Sequence, residues 1–204
     1  MKIEPVILEG NTYRLEPLSE AHISALTLAG SYESIWQHMR YGMVTTEEKM
    51  RAWVLDMLAR QEREGDLPFA VCHLQSEQAI GATRFMNIDH PERGLEIGGT
   101  WYTPSFQGSG VNTEAKYLLL KYAFEELGCI RVQIKTDIRN IKSQRSIERL
   151  GAVREGMLRN HVIRQDGSYR DSVFYSIIES EWTEIKYRLE ELLLNRDGDR
   201  KASD

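Results

Sequence analysis

The chain is 204 residues long, 41% hydrophobic and 28% charged, a composition that supports one sizeable hydrophobic core and therefore one domain. Its 26 Lys and Arg against 31 Asp and Glu leave a formal net charge of −5, which offers no positive field for a nucleic acid and argues against nucleic-acid binding as its main role. No apolar run approaches the ~20 residues of a membrane span, and Met1-Lys2-Ile3-Glu4-Pro5 lacks a signal-peptide core, so a cytoplasmic protein without a membrane partner is expected.

In chain order, residues 12–18 alternate as a strand, and Ser19 then caps a short helix that reaches about Leu28 with Ile23 and Leu26 on one face. A second helix starts at Thr45 or Thr46. Its buried stripe is Met50, Trp53, Val54, Met57 and Leu58, at three- and four-residue spacing. Strand patterns follow at 68–74, 80–88 and 95–102, separated by short polar turns that imply an antiparallel meander. After residues 107–112 the period changes, and Ala115, Leu118, Leu119, Tyr122, Ala123 and Leu127 predict a helix stopped by Gly128. A buried strand at 130–138 leads to a helix opened by Asn140 or Ser143 and stopped by Gly151. Strands at 152–164 and 172–178, joined by a turn at 165–168, precede a last amphipathic helix at 180–194. The polar stretch 195–204 reads as a disordered tail, leaving residues 1–194 as the domain. Cys72 and Cys129 lie in apolar contexts without CxxC or metal-ligand spacing, so buried, reduced thiols are expected, and no metal.

The most informative segment is Thr103-Pro104-Ser105-Phe106-Gln107-Gly108-Ser109-Gly110-Val111-Asn112-Thr113-Glu114, which joins a strand directly to a helix through two glycines. Glycine lets backbone N–H groups approach an anion closely, and the unpaired donors and positive end of the helix complete such a site. A nucleoside-triphosphate loop needs Gly-Lys-Ser/Thr after the second glycine, and a dinucleotide fingerprint needs a third glycine in a parallel unit. Neither is present. A tight turn without a ligand is the alternative for this loop taken alone.

Taken with Asn140-x-x-Ser143 and Arg149-x-Gly151, the loop Gln107-x-x-Gly110-x-Asn112 resembles the GNAT superfamily of N-acetyltransferases. Leu8-Glu9-Gly10-x-x-x-Arg14-Leu15-x-Pro17-Leu18, Leu95-Glu96-Ile97-Gly98 and Asp166-Gly167-x-x-Arg170-Asp171-x-x-x-Tyr175-Ser176 are similar to its RimJ/RimL type, which acetylates ribosomal proteins. The resemblance spans nearly the whole chain. It implies a single α+β domain, a mixed, mostly antiparallel sheet of about seven strands with helices on both faces. It implies acetyl-CoA as cosubstrate and an amine acceptor, foremost a protein N-terminal amine, with a small-molecule amine such as an antibiotic or polyamine, or a silent acyl-CoA-binding module, as alternatives. The oligomeric state stays open.

Position by position, the resemblance assigns the CoA pyrophosphate to Gln107, Gly108, Ser109, Gly110, Val111 and Asn112. It runs the pantetheine arm beside strand 95–102, where that strand parts from 132–138, with Asn140 on the far side; Asn140 also suits a helix N-cap. Two departures stand out: Asn112 replaces the last small residue of the loop, and Ile147 occupies the position of a common general-acid tyrosine. Ser143 is then the nearest candidate acid, or simply a polar first-turn residue. Glu96, between Leu95 and Ile97, is the first candidate base, acting through water, or a structural carboxylate paired with Arg84 or Arg159. His161 is the second. Arg159, Arg164 and Arg170 suit either an acidic acceptor or a solvated hairpin face.

Overall fold

The structure, a computed structural model, describes residues 1–201, with side chains described as far as Asn195. Eight strands form one sheet: β1 (Leu8–Glu9), β2 (Tyr13–Pro17), β3 (Leu67–His73), β4 (Gln78–Asp89), β5 (Gly94–Tyr102), β6 (Arg131–Asp137), β7 (Val153–Ile163) and β8 (Tyr169–Ile178). Their spatial order is β1-β2-β3-β4-β5-β6-β8-β7. Among the described residues β5 and β6 pair in parallel and every other neighbour pair is antiparallel. The sheet is the expected mixed, mostly antiparallel one, and the strand beyond about seven is the two-residue β1.

The helices are α1 (Ile23–Ala29), α2 (Glu33–Trp36), α3 (Glu47–Glu64), α4 (Val111–Lys121), α5 (Ile141–Arg149) and α6 (Glu179–Lys201). Strand alternation sorts them onto two faces. Phe69 and Val71 of β3 join Ala115, Leu119, Ile147, Trp182 and Leu189 in one core, while Ala70 and Cys72 join Leu26, Trp36, Met50, Trp53 and Met57 in the other. Helix α3 starts where Thr46 Oγ1 accepts the Lys49 amide at 3.4 Å and ends at left-handed Gly65. Helix α4 relaxes into a π turn at Tyr122–Glu126 before Gly128. Ser19 caps a 3-10 turn (Glu20–His22) that leads into α1, and α2, four residues long, carries too little periodicity to be read from sequence.

Helix α6 continues to Lys201, so it takes in most of the stretch read as a tail, and residues 202–204 lie outside the described residues. Both cysteines are buried free thiols, and burial pushes each up to about 11. No helix among the described residues is long and apolar enough to cross a membrane.

Candidate active site

Strands β5 and β6 stay together for three positions, Gly94 with Arg131, Leu95 with Val132 and Glu96 with Gln133. Beyond Glu96, β5 continues to Tyr102 along β4, and β6 continues to Asp137 along β8, without pairing to each other. The two strands therefore enclose a wedge, and one of its walls is a backbone edge with donors and acceptors that no partner strand uses.

The glycine loop closes one end of this wedge. After a 3-10 turn at Pro104–Phe106, Gly108 has φ +87° and Gly110, the N-cap of α4, has φ +101°. Such angles are readily adopted by glycine alone. The amides of Val111, Asn112 and Thr113 are first-turn donors that α4 cannot use internally. Side chains fix the loop: Gln107 Nε2 donates to the Tyr102 carbonyl at 3.0 Å, and Ser109 Oγ donates to the Phe106 carbonyl at 2.6 Å. Glu114 Oε1 accepts the Thr12 amide at 2.8 Å, and a Cβ at Gly10 would collide with that oxygen, which explains the glycine there.

Helix α5 supplies the opposite wall. Lys142 Nζ donates to Gln107 Oε1 at 2.6 Å, and Asn112 Nδ2 donates to Ser146 Oγ at 3.0 Å, so Asn112 ties the loop to α5. Asn140 acts as N-cap, its Oδ1 accepting the Ser143 amide at 3.0 Å, while its Nδ2 makes no hydrogen bond among the described residues. Ser143 is half-buried in the first turn of α5. Ile147 is 5% exposed and belongs to the core, so this side chain packs and offers no polar group to the wedge.

Glu96 is 2% exposed, and its Oε2 accepts Lys135 Nζ at 2.8 Å, Asn87 Nδ2 at 2.9 Å and Gln133 Nε2 at 3.0 Å. The partner is Lys135, neither Arg84 nor Arg159: Arg84 pairs with Asp66 at 3.4 Å and Arg159 is exposed. The other oxygen, Oε1, lies 3.2 Å from where a Cβ on Gly98 would stand, beside the part of β5 that has no β6 partner.

His161 Nδ1 is 3.1 Å from Ser172 Oγ, which also accepts Arg170 Nε at 3.1 Å. Burial, then Lys135 and Arg170, hold the imidazole below its ordinary range, so it is neutral at pH 7. Asp137 anchors this end. Burial pushes its carboxyl up, but the Arg139 amide and the Arg164 guanidinium outweigh that and hold it below the usual carboxylate range. Arg164 is thus taken by Asp137, whereas Arg170 keeps its terminal nitrogens without a hydrogen bond among the described residues.

Three groups near the wedge carry no sequence signal. Lys116 of α4 is 4% exposed and donates to Thr100 Oγ1 at 2.6 Å; burial drives it down to about 7. Lys135 reaches Glu96 through strand register, and Tyr41 approaches β5 from the connection between α2 and α3. Away from the wedge, Glu16, His22 and Cys72 bring ligand-type atoms within 4.8 Å of one another, a pairing of His22 that sequence spacing did not reveal. His22 Nε2 bonds Glu16 Oε2 at 3.2 Å and its Nδ1 accepts the Ser19 amide at 3.1 Å, so the ring is already fully engaged.

The sequence profile of the Acetyltransferase (GNAT) domain matches residues 13–153. YdaF of Bacillus subtilis (strain 168), provisionally named a ribosomal N-acetyltransferase, is 38% identical over 102 residues, 50% of this chain; the chain spans 55% of that relative's length. A crystal structure from T. thermophilus, provisionally described as an acetyltransferase, is 38% identical with a TM-score of 0.86, covering 95% of this chain and 100% of that one. The microcin C7 self-immunity acetyltransferase MccE, solved in complex with acetyl-CoA and AMP, is 22% identical with a TM-score of 0.72 over 83% of this chain and 93% of its own, a likeness of fold.

Proposed function

The chain belongs to the acetyltransferase (GNAT) domain family of N-acetyltransferases, and within that family we propose that it transfers acetyl from acetyl-CoA to a primary amine, foremost a protein N-terminal α-amine. The observation that carries this reading is the wedge: from Ile97 to Tyr102 β5 has β4 on one side and no β6 partner on the other, and it runs straight into a glycine loop and a helix N-terminus. That layout offers an amide-bearing strand edge for the pantetheine arm and first-turn N–H groups of α4 for the pyrophosphate.

Transfer needs a neutral amine, a polarised carbonyl and a proton for sulfur. The amine nitrogen attacks the carbonyl carbon, the carbon–sulfur bond breaks with its electron pair on sulfur, and one proton passes in net from nitrogen to sulfur. In our reading His161, neutral and beside Arg170, or Glu96 Oε1 through a water, takes the amine proton. Ser143, one turn into α5 from Asn140, supplies the proton to sulfur.

The test is thiol release from acetyl-CoA with N-terminal peptides, lysine side-chain amines, polyamines and aminoglycosides as acceptors. Release with a peptide terminus supports the reading. Release with the small amines alone moves the substrate to that class, and acetyl-CoA binding without release from any acceptor makes the chain a binding module.

A further inference from the structure

Gly98 and Gly99 lie just past the last β5–β6 pair, where β5 has lost its β6 neighbour and its register with β4 slips between Arg84 and Ala82. Gly99 has φ +62°, a left-handed conformation that marks the bulge. A Cβ placed on Gly99 would stand 3.1 Å from the Tyr41 hydroxyl and 3.6 Å from Arg84 Nε. The phenol oxygen of Tyr41 therefore lies directly over this bulge.

Its position is held from two sides. The Tyr41 ring meets Trp53 edge-on at 5.9 Å and 78°, and Trp53 meets Trp101 of β5 at 5.9 Å and 72°. The Tyr41 carbonyl accepts Gln165 Nε2 at 2.8 Å, which fastens the segment to the turn between β7 and β8. Despite this support, the Tyr41 hydroxyl makes no hydrogen bond among the described residues. The hydroxyl is thus a fixed donor over an open strand edge, with no protein acceptor among the described residues.

Resting on the acyl-CoA reading of the wedge, we propose that Tyr41 is a catalytic residue whose hydroxyl donates a hydrogen bond to the acetyl thioester on the Gly98–Gly99 segment. The bond strengthens as the amine attacks and charge moves onto the acyl group. The phenol comes from the connection between α2 and α3, a different element from α5, which carries Ile147 and Ser143. Burial raises Tyr41, opposed by the Arg84, Arg40 and Arg60 cations, so the hydroxyl keeps its proton at neutral pH. A free thiol titrates near ~8.5. Handing the proton over to sulfur is thus uphill, and Tyr41 acts by donation, leaving sulfur's proton to another group.

Tyr41→Phe removes the oxygen and keeps the ring against Trp53, so the melting temperature should stay within a degree or two of the parent. Loss of one such donor typically lowers turnover on the order of 10²-fold, and kcat should fall to that extent while the Kd of CoA, which lacks the acyl group, is unchanged. A second readout needs no turnover: the affinity ratio of S-acetonyl-CoA, an inert ketone analogue of acetyl-CoA, to CoA should fall several-fold in Tyr41→Phe. Parent-like turnover with an unchanged ratio overturns the assignment. If the parent protein releases no thiol with any acceptor, the transferase reading fails, and the affinity ratio alone then decides whether Tyr41 touches the acyl group.

Discussion

Lys135 Nζ lies 2.8 Å from Glu96 Oε2, so the carboxylate offered by the sequence as a base carries its own counter-ion from the neighbouring strand. Glu96 is 2% exposed and the Lys135 side chain 19%, which makes this a largely desolvated pair. Removing one member leaves the other uncompensated, at a cost of about 3 kcal/mol.

Glu96→Gln is therefore expected to lower both the melting temperature and the rate. Pairing it with Lys135→Met should restore most of the stability and none of the rate. If Glu96 relays the amine proton, the rate deficit will be largest below pH 7, where the acceptor is mostly protonated, and will shrink as pH rises. A double variant with parent-like turnover, or a deficit that does not change with pH, would assign Glu96 to structure alone.

Gly110 gives a sharper test of the loop. Its φ of +101° is unfavourable for any side chain, and the residue immediately precedes the α4 amides. Gly110→Leu should cost about 1–3 kcal/mol of stability and should abolish the rise in melting temperature caused by acetyl-CoA. ATP and NAD should produce little shift in the parent protein, since the loop lacks the lysine and acidic ribose partner those ligands use. A Leu variant that keeps its full acetyl-CoA shift would take the loop out of the site.

What could be read from the sequence was local. The loop from Gln107 to Asn112, the Asn140 cap and the alternation of β3 announce themselves within a few residues. Contacts made by register did not. Glu96 sits opposite Gln133 in the parallel pair, and Lys135, two residues further on the same side of β6, is brought within reach by that pairing. Arg84 and Arg159 were as plausible in sequence, but Arg84 is directed to Asp66 and Met57 on the α3 side. Tyr41 was invisible for the same reason: a Tyr-Gly in a polar connection has no period, and its relation to Gly99 exists only after α3 and β5 have packed through Trp53 and Trp101.

Lys116 predicts an unusual pH dependence of stability. Its folded value of about 7 lies below the 10.5 of an exposed lysine, and burial is the cause. Below about pH 7 both folded and unfolded chains carry the charge, and the folded state bears the full penalty of burying it. Between there and about 10.5 the unfolded chain binds the proton and the folded chain does not, so this residue makes stability rise with pH by up to ~1.4 kcal/mol per unit. The groups on neighbouring elements are otherwise engaged: Tyr13 with Ser109, Tyr102 with Asn112, Glu114 with the Thr12 and Tyr13 amides, and Tyr117 with Glu190. Urea titrations at pH 6.5 and 8.5 should show the parent more stable at the higher pH. Lys116→Met should be more stable than the parent at pH 6.5 and lack this contribution to the slope. Equal slopes in both proteins would mean that Lys116 stays charged when folded.

The last prediction joins base and acceptor. An α-amine titrates at ~7.7 to 8.0 and a lysine side chain near ~10.4, so at neutral pH a useful fraction of the former is already nucleophilic. Preparing a lysine demands about 2.5 units more, roughly 3 kcal/mol. The two candidate bases are modest. His161 is held below its ordinary range by burial, Lys135 and Arg170, and Glu96 has one oxygen committed to three donors. The cations around them also disfavour a second positive charge: Arg170 retains free donors, Arg40 contributes to holding His161 down, and a protonated lysine side chain would enter against both. An acceptor that arrives largely neutral suits this end of the wedge better than one that must be deprotonated in place. Acetylation should therefore be measurable on a peptide with a free N-terminus and weak on the same peptide when the terminus is blocked and only lysine side chains remain. His161→Gln should depress transfer to the free terminus at pH 7 by on the order of 10²-fold if it is the base, with rescue as pH rises past the amine's own value. Equal rates on blocked and free peptides would overturn the preference for α-amines. An His161→Gln variant with the parent's pH profile would leave Glu96 as the remaining base.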